Sequence, residues 1–289
     1  MRTKTTIAFC PGHISGYFLP YIGDNPDECG SIGGGIVINE GVRVVARPAN
    51  TKEVRIFHTN RYGEPVIISE SSDIILSLLE YLNVDCQIET YSHLPIGCGY
   101  GMSAAALLAT AHAVSALFNL GMNERDCAHA AHRIEVIFRS GLGDVSACQG
   151  GGVAIRLTPG PDGEIIRISD TRMICAVTMS PIKTADILQS PSRMKAISSA
   201  FPDMKPRSLD ELITASREFA DASGLISDEV RKVLSACDAN HIPASMTMLG
   251  NGVFGLGLDA YNLLKEFGEV FRFTPAYAGP RVLSGESAV

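Results

Sequence analysis

The 289-residue sequence predicts an α+β protein of two domains. Three observations lead there. Short β-branched runs punctuated by Gly, Pro and Asn fill the first part of the chain. An alternating segment, a glycine-rich turn and a long uncharged Ala-rich run follow one another between residues 84 and 119. Beyond Asp170 the apolar spacing turns mostly helical. The expected division is 1–170 and 171–289.

The runs 5–10, 32–38, 42–47 and 54–58 read as strands. Ile74, Ile75, Leu78, Leu79 and Leu82 recur at helical spacing, which predicts a helix over 71–82. Val84, Cys86 and Ile88 alternate with Asp85, Gln87 and Glu89, so 84–91 reads as a strand feeding the glycines. A helix over 103–119 follows. A second, over 123–139, has Asn123 as its N-cap and Glu124 and Asp126 in its first turn. Segments 153–157 and 164–168 form a hairpin about Pro159-Gly160-Pro161-Asp162-Gly163. The second half reads as a strand over 174–179, helices over 191–200, 208–222, 228–237 and 259–267, a glycine-broken hairpin over 246–256 and a strand over 270–274. A doubly wound dinucleotide fold does not fit: the glycines lack the G-x-G-x-x-G spacing, and the first strand does not feed them.

Composition narrows the function. A net charge of −7 with no basic block argues against a nucleic-acid surface. Eight cysteines, none spaced C-x-x-C, read as small buried hydrophobes of a reducing cytoplasm. The N-terminal residues lack a signal-peptide pattern. Segment 90–123 carries no Asp, Glu, Lys or Arg, yet its Pro95, glycines, His112 and Ala-rich helix suit a buried core helix better than a membrane span.

The chemistry centres on Pro95-Ile96-Gly97-Cys98-Gly99-Tyr100-Gly101-Met102-Ser103-Ala104. Glycines let a backbone approach a ligand closely, and the helix start behind them offers free N–H groups and a partial positive charge. That pattern suits a phosphate. The Ser103 hydroxyl either reaches a magnesium ion or phosphate, or caps the helix. Asp144, between Gly143 and an apolar run, either caps a helix or accepts the proton of an attacking hydroxyl. Glu135 offers carboxylate oxygen to magnesium, or pairs with Arg133, Arg139 or His132. His129 and Glu135 lie on different helix faces, which argues against zinc.

These segments resemble the motifs of the GHMP kinases. The glycine loop resembles P-x-G-x-G-L-G-S-S-A-A. Pro11-Gly12-His13-Ile14 lies where the family has P-G-x-V. Gly143-Asp144-Val145-Ser146-Ala147 with Gly150-Gly151 resembles the segment that holds the catalytic Asp, and Leu249-Gly250-Asn251-Gly252 falls at the C-terminal glycine motif. The resemblance implies a ribosomal-S5-domain-2-like N-terminal domain and a ferredoxin-like C-terminal domain. It implies ATP with its phosphates on the loop from Pro95 to Ala104, magnesium held by Ser103 and Glu135, and Asp144 as catalytic base. A homodimer is also implied.

Three departures stand out. His13 replaces a Lys that pairs with the catalytic Asp in several members, Met102 replaces the first Ser of the pair, and the last motif reads L-G-N-G-V-F. With the opening Ala8-Phe9-Cys10-Pro11-Gly12-His13, they resemble the archaeal branch that phosphorylates pantoate for coenzyme A synthesis. That implies a small acid as substrate, met by Ser31, His132, Arg156 and Thr184. Arg156 suits a two-pronged carboxylate contact, or stands as an exposed strand Arg. The alternatives are a homoserine, shikimate or mevalonate kinase of the same family, or a non-catalytic nucleotide-binding regulator.

Overall fold

The structure, a computed structural model, describes residues 5–182 and 184–283. Its first half is built on two long antiparallel strands, β1 (Thr6–Tyr21) and β2 (Gly30–Pro48). Then come β3 (Glu53–Thr59), β4 (Pro65–Ser69), α1 (Asp73–Tyr81), β5 (Cys86–Ser92), α2 (Met102–Phe118), α3 (Glu124–Ile137), the short α4 (Asp144–Cys148), β6 (Val153–Arg156) and β7 (Ile165–Ile168). The second half contains β8 (Ile174–Ser180), α5 (Thr184–Leu188), α6 (Pro191–Ala200), α7 (Leu209–Ser223), α8 (Asp228–Ala239), β9 (Ala244–Met246), β10 (Asn251–Leu256), α9 (Gly257–Leu264), β11 (Val270–Phe273) and β12 (Arg281–Leu283).

These elements form two sheets. The larger has the order β12-β1-β2-β5-β3-β4, with β6 paired to the first half of β2 and β7 to β6. Its pairs are antiparallel except β3 with β5, which are joined through β4 and α1. The smaller is an antiparallel sheet in the order β11-β8-β10-β9. The last strand, β12, returns to the edge of the larger sheet, placing Ile7 opposite Leu283.

The strand readings at 5–10, 32–38 and 42–47 are too short. Pro11 looks like a terminator, but β1 runs through it because the register shifts there, a place where a strand tolerates Pro. Gly41 lies opposite Pro11, and β2 likewise continues as one strand. Strands β4 and β12 and helices α4 and α5 are additions to the sequence reading. The uncharged helix α2 is buried around most of its circumference, as a helix apolar on all sides requires. Helix α3 begins as expected: Asn123 Oδ1 accepts from Asp126 N–H at 3.0 Å, and Asp126 Oδ2 accepts from Asn123 N–H at 3.0 Å. All eight cysteines are buried and unpaired. Among the described residues no helix is long and apolar enough to cross a membrane.

Candidate active site

The glycine loop joins β5 to α2. Gly97, Gly99 and Gly101 all have positive φ (77°, 81° and 65°), a conformation open to glycine at little cost. Gly101 is the N-cap of α2, so Ser103 is the second helical residue and not the cap. The first helical hydrogen bond runs from Ala105 N–H to Gly101 O, which leaves the amides of Met102, Ser103 and Ala104 free for a ligand. Ser103 also lines the cavity there. This cradle of open amides beside a hydroxyl fits a polyphosphate.

The remaining loop side chains point elsewhere. Tyr100 is buried, with its hydroxyl 2.8 Å from Thr178 Oγ1 and its ring packed against Phe271 and Phe273. Burial pushes its phenol well above the usual tyrosine range. The Met102 side chain is buried against Ser92. Tyr100, Met102 and Ala104 thus offer main chain rather than side chain to the phosphate side. Pro95 lies before the turn and lines none of the three cavities described here.

The C-terminal glycine motif lies over this loop. Thr247 Oγ1 donates to Cys98 O at 3.2 Å. Any Cβ at Gly250 would fall 2.1 Å from the Cys98 carbonyl carbon. Ile182 N–H donates to Gly97 O at 2.8 Å, which ties the segment leading to α5 to the same loop.

Asp144 is the first residue of α4. Its Oδ1 lies 2.6 Å from His13 Nδ1, and His13 is fully buried whereas the Asp144 side chain is 26% exposed. His13 therefore occupies the place of the expected Lys and makes the pairing. Burial holds the His13 pKa below its ordinary value against the opposing pull of Asp144. A neutral imidazole with its proton on Nδ1 donates to the carboxylate. Nε2 faces no hydrogen-bond partner.

Glu135, on α3, is 1% exposed and set back from the cavities. Its Oε1 accepts from Val145 N–H at 3.3 Å, and its Oε2 lies 3.5 Å from His132 Nδ1 with no closer partner. Burial, with the nearby Asp144 charge, raises its pKa. A Cβ at Gly141 would meet Glu135 Oε1 at 2.6 Å and Asp144 Oδ2 at 2.9 Å, so the two carboxylates bracket one point. Glu135 Oε1 and Asp144 Oδ2, facing one point, are the hard oxygen donors that a hard cation prefers, while the unpartnered Oε2 faces His132 instead.

His132 lines neither the cavity at the glycine loop nor the one walled by Ser31, Asp144 and Arg156. Its Nε2 is 3.0 Å from Cys29 O, and its other nitrogen faces Glu135. Burial lowers its pKa, but the Glu135 carboxylate outweighs this and leaves it raised.

Ser31, Arg156 and Thr184 do come together with Asp144. They line a cavity of about 390 Å³ with Ser15, Phe18, Leu142, Leu188, Met248 and Leu249. Arg156 is a buried group, 3% exposed, and not an exposed strand Arg. Its Nε donates to Ser31 O at 3.4 Å, Nη1 has no partner, and burial lowers its pKa. A buried guanidinium short of partners is costly, and an anionic ligand would supply the missing acceptor.

The sequence reading did not find a third cavity, of about 640 Å³, lined by Ile56, Phe57, Ile68, Ile74, Ser103 and Ala106 among others. Ile68, exposed on β4 beside Val66 and Ile67, is part of its wall. The three cavities share walls in a row. Met102 and Ser103 belong to the apolar and glycine-loop cavities; Asp144, Thr184, Met248 and Leu249 belong to the glycine-loop cavity and the one that holds Arg156.

Comparison with known proteins identifies the family. Residues 70–152 match the family described as GHMP kinases N terminal domain. The chain is 58% identical over 286 residues to a pantoate kinase of Methanospirillum hungatei, covering 99% of each chain. It is 30% identical to a pantoate kinase of Thermococcus kodakarensis, over 87% of each. A solved structure titled a phosphotransferase related to the CoA biosynthesis pathway superposes with a TM-score of 0.82 at 28% identity, covering 98% of this chain and 100% of that one. At 58% identity over nearly its whole length, the chain belongs to the GHMP kinase family, alongside the pantoate kinases.

Proposed function

We propose that this protein transfers the γ-phosphoryl group of ATP to the terminal hydroxyl of pantoate, giving 4-phosphopantoate and ADP. The observation that carries this reading is the row of three cavities, the first two sharing Met102 and Ser103 and the last two sharing Asp144. The apolar cavity suits a nucleobase, the amides of Met102 to Ala104 suit the phosphates, and Arg156 with Ser31 suits a carboxylate.

Arg156 and Ser31 hold the acid end of the acceptor, with Thr184 on the same cavity wall, so that the far hydroxyl meets Asp144. Asp144 Oδ2, left free by the His13 contact, takes the hydroxyl proton as the acceptor oxygen bonds to the γ-phosphorus and the bond to the β–γ bridging oxygen breaks. The helix amides and Ser103 stabilise the charge that develops on the transferring group. Magnesium, when bound, neutralises phosphate charge, and Ser103 and Glu135 are the residues that would hold it. His132 steadies Glu135 from behind.

The test is ADP release by the purified protein with ATP and magnesium over a panel of pantoate, pantothenate, homoserine, shikimate and mevalonate. Turnover is expected with pantoate far above the rest. Preference for a neutral or amino acceptor would reject the role given to Arg156.

A further inference from the structure

The acceptor cavity is only half polar. Its lining also includes Phe18, Leu142, Leu188 and Leu249. Phe18 is fixed by packing on Phe219, with ring centroids 5.7 Å apart. Leu142 is buried two residues before Asp144. Leu188 lies one helical turn after Thr184 on α5, so both face the same side. Leu249 belongs to the phosphate cavity as well, which puts apolar carbon at the junction where the acceptor hydroxyl would meet Asp144. Arg156 and Ser31 account for the acid end but leave this wall without a role.

We propose that Leu142, Leu188 and Leu249 select acceptors whose reacting hydroxymethyl group is attached to a fully substituted, dimethyl-bearing carbon. The proposal rests on the pantoate kinase reading above and adds the residues that enforce the choice. An unbranched hydroxy acid makes the same polar contacts but leaves these side chains against space or water. Burying methyl groups against them is favourable, and the gain is realised only by the branched acceptor.

The test compares pantoate with 2,4-dihydroxybutanoate, which keeps the carboxylate and both hydroxyls but lacks the two methyls. Native enzyme should show kcat/KM at least about tenfold lower for the unbranched acid. Leu142→Ala and Leu188→Ala should each lower kcat/KM for pantoate while leaving that for 2,4-dihydroxybutanoate within about twofold, so the preference shrinks. Leu188 is only half-buried, so Leu188→Ala carries the comparison should Leu142→Ala fail to give a cooperative thermal melt. Equal kcat/KM for the two acids in native enzyme, or a preference that Leu188→Ala does not alter, overturns the apolar wall and leaves the kinase reading standing. Turnover of neither acid overturns both.

Discussion

His13 Nδ1 stands 2.6 Å from Asp144 Oδ1 and joins the strand that underlies the glycine loop to the helix that bears the proposed base. The same histidine donates its backbone N–H to Tyr100 O at 2.9 Å, inside that loop. One residue thus fixes the base relative to the phosphate cradle.

His13→Leu should therefore lower kcat about tenfold or more with KM for ATP little changed, because a positioning contact is lost and the cradle is not. Steady-state kinetics over both substrates checks this. A rise in KM for ATP with kcat intact would assign His13 to nucleotide binding instead.

His13 also predicts a pH effect on stability. Its folded-state pKa is depressed by burial, so below the unfolded value of about 6.5 the unfolded chain binds the proton more readily. Stability is therefore expected to fall as pH drops through that value and to be recovered above it. Urea midpoints between pH 5 and 8 measure this, and His13→Leu should flatten the slope. An equal slope in the variant would show that another group is responsible.

Arg156→Ala should raise KM for pantoate by about a hundredfold and leave ATP affinity within about twofold, since the guanidinium lines the acceptor cavity and not the phosphate one. Arg156→Lys should recover only part of the loss, because an ammonium lacks the fork. Acceptor titration at saturating ATP reads both variants.

Gly250→Ala tests the contact between the C-terminal motif and the glycine loop. The added methyl would collide with the Cys98 carbonyl, so either loop or motif must shift. ATP affinity and melting temperature should both fall, as followed by calorimetric titration and thermal melting. A variant with native values for both would show that the loop does not depend on this packing.

Much of the fold was legible in the sequence where the signal was local. Asn123 and Asp126 announce the start of α3, and the unbroken apolar face of α2 announces its burial. Pro11 misled, because only the paired strand shows that it sits at a bulge. Helix α4 was missed since five residues give no periodicity. In the site, Ser103, Asp144 and Arg156 lie in recognisable local contexts. Phe18, Leu142 and Leu188 look like ordinary core residues until the fold brings segments far apart in sequence around one cavity. His13 could be seen to replace a lysine that pairs with the catalytic Asp, but that the imidazole keeps this pairing, across 131 residues, could not.

The most direct measurement is Asp144→Asn examined for binding and turnover together. Asp144 touches both the phosphate and acceptor cavities, and an amide is nearly isosteric with the carboxylate but cannot take the proton. The variant should bind ATP and pantoate with near-native affinity by calorimetric titration while turnover falls by about 10²–10⁴. Unchanged turnover would contradict the assignment of Asp144 as the base on which the whole site converges.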